Sequence, residues 1–116
     1  MAGGILPGQL FYPPNADTFR AGRITIAALN VPIQLPDFWI PDGFGVLVKA
    51  NPANTGICYL AATGPDAVNF EQAYPLVAGE LVVYMIKNLN TIWVSGTFIG
   101  PPADYVHWTV EQKRGN

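Results

Sequence analysis

Charge is scarce in this sequence: Asp, Glu, Lys and Arg make up 12% of its 116 residues, about half of the ~25% usual in soluble domains. The six cations do not cluster, and only Lys113-Arg114 sets two side by side. A nucleic-acid partner is therefore not expected, because such binding needs a basic stripe that displaces counterions from phosphates. Long apolar runs are missing too. The longest, such as LVVYMI, fall far below the ~20 residues that cross a bilayer, so no membrane span is expected. There is one cysteine, Cys58, and one histidine, His107. An internal disulfide is excluded, which is compatible with synthesis in a reducing cytoplasm. The N-terminal MAGGILPGQL has neither a basic n-region nor a continuous apolar h-region, so it does not read as a secretion signal.

What is present is apolar and heavily punctuated. Half of the residues are hydrophobic, and twelve glycines and eleven prolines divide them into short segments. This length and composition suit one domain with a single modest core. So weakly charged a surface tends to associate, and burial against other subunits is the natural explanation.

Residues 1–22 carry Pro7, Pro13 and Pro14 with four glycines, which excludes a continuous helix and disfavours a regular strand. Ile5, Leu6, Leu10, Phe11, Tyr12 and Phe19 are too apolar for a solvated linker, so the segment reads as an arm that docks on its own domain or a neighbour. From Arg23 the pattern turns to β-branched runs. RITIAAL is followed by VPIQL, where Pro32 indicates an edge or bulged position. PDFWIPDGFG predicts turns around Asp37 and Asp42. NPANTG (51–56) predicts a hairpin between GVLVKA and ICYLAAT, and KNLN a tight antiparallel connection between ELVVYMI and TIWVSG. The stretch 63–80 reads as loop. In DYVHWTVEQ, strict alternation places Val106, Trp108 and Val110 toward the core, with Tyr105, His107, Thr109 and Glu111 outward. About seven short strands without a convincing helix predict an all-β, single-domain antiparallel β-sandwich of jelly-roll type. Its body spans 23–111, between the arm and a polar tail at 112–116.

No catalytic or cofactor constellation stands out. A thiol enzyme would need Cys58 and His107 as nucleophile and base. Cys58 sits among apolar neighbours in ICYLAA, where a free cysteine usually acts as a small core residue. One histidine and one cysteine do not make a metal site, and Asp42 and Asp66 belong to turn sequences, so neither metal nor cofactor is expected. Trp39, Trp93 and Trp108 need weighing as sugar-stacking platforms against packing residues. Trp108 reads as core, whereas Trp39, flanked by prolines, and Trp93, alternating with Ile92 and Val94, read as contact residues.

In order along the chain come a turn at Pro41-Asp42-Gly43, the turn and strand Asn54-Thr55-Gly56-Ile57-Cys58-Tyr59-Leu60, and the step Pro75-Leu76-Val77-Ala78-Gly79-Glu80. The segment 88–96, NLNTIWVSG, and the closing Val106-His107-Trp108-Thr109-Val110-Glu111 follow. Across residues 37–111 this series resembles small virion structural proteins of tailed bacteriophages, particularly the decoration or cement proteins of the capsid exterior. Here Val-Ala-Gly-Glu replaces the more familiar Pro-Gly-Glu, and Trp93 stands where tyrosine is frequent.

The resemblance implies a non-enzymatic, homo-oligomeric protein, dimer or trimer, on the outer capsid surface. Its partner would be the major capsid protein, whose subunits it would hold together. Leu10, Phe11, Tyr12, Phe19, Trp39 and Trp93 are then the expected capsid or subunit contacts. A glycan- or receptor-binding module of a phage tail or head fibre, using Trp39 or Trp93, is the alternative.

Overall fold

A computed structural model describes residues 18–97 and 102–112. Eight strands form its framework: β1 (Thr18–Ile26), β2 (Ile33–Gln34), β3 (Val46–Ala50), β4 (Cys58–Ala61), β5 (Tyr74–Leu76), β6 (Leu81–Tyr84), β7 (Trp93–Gly96) and β8 (Asp104–Gln112). One helical turn, α1 (Gly64–Ala67), separates β4 from β5, and a 3-10 turn at Leu89–Thr91 precedes β7. Sheet I has the order β1-β8-β3-β6 and sheet II the order β2-β7-β4-β5. Every pairing is antiparallel.

These orders have a simple origin. β1 pairs with β8, β2 with β7, β3 with β6 and β4 with β5, so the chain behaves as one long hairpin whose four rungs alternate between the sheets. The added pairings β3–β8 and β4–β7 roll the hairpin closed. This is the jelly roll, and the sandwich predicted from the sequence is the fold observed.

The core lies between the sheets. Sheet I contributes Ile26, Val46, Val48, Val106, Trp108 and Val110, and sheet II contributes Cys58, Leu60, Leu76 and Val94, all buried. The connections close the ends with Leu35, Ile40, Phe44, Leu89 and Ile92. Strict alternation in β8 is borne out, with Val106, Trp108 and Val110 inward. The Trp108 indole has room because Gly22 lies beneath it; a Cβ there would stand 2.5 Å from the ring.

Both expected hairpins are corrected. β3 and β4 lie in different sheets, as do β6 and β7, so NPANTG and KNLN carry the chain across the sandwich. Turn composition encodes a change of direction but not the sheet in which the next strand pairs; that is decided by what anchors the loop. The Asp104 carboxylate, buried at the start of β8, accepts the Thr55 and Gly56 N–H groups, both at 3.0 Å. Asn54 adds a reciprocal pair with Tyr105: its Oδ1 accepts from the Tyr105 N–H at 2.8 Å, and its Nδ2 donates to the Tyr105 carbonyl at 2.9 Å.

In KNLN, Asn88 caps the 3-10 turn, accepts from the Phe38 N–H and donates to Asp37. Asp37 thus anchors an extended segment instead of making the turn expected there, while Pro41–Phe44 does turn, with Gly43 at a φ of 86°. Within 63–80, read from sequence as loop, lie α1 and the short strand β5. β1 begins at Thr18, inside the segment assigned to the arm. β2 is an edge strand, one of the two positions Pro32 indicated.

Candidate interaction surface

The outer face of sheet I is assembled row by row from the strand registers. Arg23, His107, Lys49 and Leu81 form one row, and Ala21, Thr109, Leu47 and Val83 the next. Phe19 and Glu111 pair in a third row. The first row carries the cations, and His107 Nε2 accepts from Asn51 Nδ2 at 2.9 Å. Arg23 lies 4.1 Å from the Tyr105 ring centroid, a cation–π contact.

The other rows are mostly apolar, with Thr109 and Glu111 as their polar members. Val83 is 55% and Met85 66% exposed. Gly45, Leu47, Val83, Met85, Thr109 and Glu111 enclose a shallow groove of about 360 Å³. Gly45 keeps its floor low, since a Cβ there would sit 2.8 Å from Met85 Sδ. Large side chains standing clear of their own fold in one contiguous patch mark a contact surface more often than scattered exposed residues do.

Sheet II is treated differently. Thr63 caps α1 by accepting the Asp66 N–H at 3.2 Å, which holds the helical turn against β4 and β7. Gly64 rests on the Trp93 ring, where an added Cβ would lie 3.2 Å from it, and Ser95 Oγ donates to the Ala67 carbonyl. Phe70 stacks on Tyr59 with centroids 4.1 Å apart and planes 14° from parallel. The chain itself therefore covers this face.

Of the expected contact residues, Leu10, Phe11 and Tyr12 lie outside the described residues. Phe19, on the outer side of β1, is 63% exposed. Trp39 is 61% exposed, because its neighbours turn inward: Ile40 is buried and Phe38 packs on Trp108 at 5.9 Å. Trp93 does face away from the core, between buried Ile92 and Val94, but it is half covered by α1. Phe19 and Sheet I are thus on one surface, and Trp93 is on the opposite one.

Leu47, Val83 and Met85 were not singled out from the sequence. The signal was in LVVYMI, where Leu81, Val83 and Met85 alternate with Val82, Tyr84 and Ile86, so both faces of the strand are apolar. A strand of this kind requires cover on two sides.

The chemical candidates separate. Cys58 faces the core, and burial first, then the Asp104 charge, push its thiol up to about 12, while the Asn54 amide hydrogen bond opposes the shift. His107 is on the far side of sheet I, so the structure does not bring the two together. Among the described residues no group of three His, Cys, Asp or Glu side chains is arranged to hold a metal ion. Nor is any helix among them long and apolar enough to cross a membrane. At one open edge of the sandwich Leu60, Tyr74, Tyr84, Ile86, Thr91 and Ile92 help to line a cavity of about 270 Å³. Burial, then Tyr74, raises the Tyr84 phenol above its ordinary value of 10.0. No family model, curated protein or solved structure matches the chain.

Proposed function

We propose that the chain is a virion structural protein of a tailed bacteriophage, of the capsid decoration type. It binds the outer shell and stabilises contacts between major capsid subunits. The observation that carries this reading is the exposed apolar patch around Leu47, Val83 and Met85 on the outer face of sheet I of a weakly charged jelly roll. Such a surface can be buried against protein without desolvating many ions, and repetition over a shell multiplies modest contacts into avidity. Exposed Phe19 and Trp39 supply aromatic anchors, the residue type that dominates interface energetics. The motif series over residues 37–111 points to the same class of protein.

The test is co-sedimentation of the full chain with purified undecorated capsids of its phage. Saturable binding that raises the temperature at which the shells open supports the proposal, and free protein at saturating capsid concentration refutes it. A second reading is favoured by Trp39 alone: an exposed indole is also a stacking platform for a sugar in a tail or head-fibre receptor module. Glycan-array binding that is lost in Trp39→Ala would select that reading instead.

A further inference from the structure

Sheet I presents a groove, and the chain also contains a segment able to fill it. Residues 1–17 precede Thr18, and they include the apolar ILPGQLFY at 5–12. They join β1 beside the groove, because Phe19 pairs with Glu111, one of the groove's walls. With strands ~4.8 Å apart, the line between β3 and β6 lies roughly 12 Å from β1. Seventeen residues can extend up to about 56 Å, so length does not limit the contact.

We infer that residues 5–12 of one copy occupy the sheet I groove of a second copy, giving an arm-exchanged homo-oligomer. The area that a stable interface must bury favours a second copy as the occupant. The open face measures roughly 19 Å across four strands and 17 Å along β3, on the order of 300 Å², from strand spacing and rise. Two such faces stacked together fall well short of the ~800 Å² per partner of a stable interface. Adding Leu10, Phe11 and Tyr12 closes most of that gap, since each aromatic alone buries about 150–250 Å².

Reciprocal exchange about a two-fold axis counts each contact twice. The inference does not depend on the capsid reading, because it concerns the protein alone in solution.

Light scattering on the full chain at micromolar concentration tests it, with two double variants. Val83→Lys with Met85→Lys charges the groove, and Leu10→Ser with Phe11→Ser removes the anchors. Val83 and Met85 are exposed, and circular dichroism verifies that each variant is folded. The wild-type chain is expected to be dimeric or larger, and each variant monomeric, with self-association weakened about tenfold or more. Mixing the variants should restore a heterodimer, since the intact face of one takes the intact arm of the other. A monomeric wild-type chain, an oligomer indifferent to both variants, or a mixture that stays monomeric would each overturn the inference.

Discussion

On sheet II the chain covers its own outer face, with Phe70 stacked on Tyr59 and the Ala67 carbonyl accepting the Ser95 hydroxyl. On sheet I, Val83 and Met85 have no comparable cover among the described residues. The two sheets share one core and one topology, so the difference does not come from the needs of folding. It arises from where the long β4–β5 connection lies, which spends its residues on one face alone. Cover that the fold supplies stabilises the monomer, whereas an apolar face left open is stabilised only by something that binds it.

The largest expected effect falls on the clamp that joins the sheets. Asp104→Ala removes the acceptor for two backbone N–H groups that lead into β4, and it should cost about 3 kcal/mol by urea denaturation, the scale of hydrogen bonds to a charged group. Alkali should weaken the same region. The folded Cys58 thiol is raised from 9.0 to about 12, so above pH 9 the unfolded chain loses a proton that the folded chain keeps, and stability falls as pH rises. Comparing urea midpoints of wild type and Cys58→Ala from pH 8 to 10 isolates this contribution: the wild-type midpoint should fall relative to that of Cys58→Ala as pH rises.

On the covered face, Phe70→Ala removes an aromatic stack worth roughly 1 kcal/mol, and its thermal midpoint should drop accordingly. The smallest effect on stability belongs to the open face. Placed in the Leu10→Ser, Phe11→Ser variant, which is expected to be monomeric, Val83→Lys should change unfolding free energy by no more than about 0.5 kcal/mol, as exposed substitutions do. The contrast would break if Val83→Lys destabilised the isolated fold as much as Phe70→Ala, because sheet I would then be covered internally.

Much of the fold could be read from the residues because β-structure encodes its faces locally. Alternation in β8 identified Val106, Trp108 and Val110 as core, and Pro32 marked β2 as an edge or bulged position. The pairing was less accessible. Asn54 and Asp104 are fifty residues apart, and no local pattern states that this pair, rather than a hairpin, fixes the NPANTG loop. β5 was obscured because Tyr74-Pro75-Leu76 contains a proline, tolerated here on an edge strand. Phe19 and Trp39, read from the sequence as contact residues, are exposed aromatics, while Leu47, Val83 and Met85 lie in apolar runs that do not by themselves say which of their residues stay open. The partial cover of Trp93 depends on α1, whose four residues are too few to announce a helix.

Met85 reports directly on whether the open face of sheet I is a contact surface. It is the sole methionine besides Met1, and its thioether lies in the groove. Its oxidation by dilute peroxide can be timed by peptide mass spectrometry, in the assembled wild-type protein and in the folded Leu10→Ser, Phe11→Ser variant. Oxidation several-fold slower in the assembly is the result predicted here; equal rates in the two would show that nothing covers the face and would contradict it.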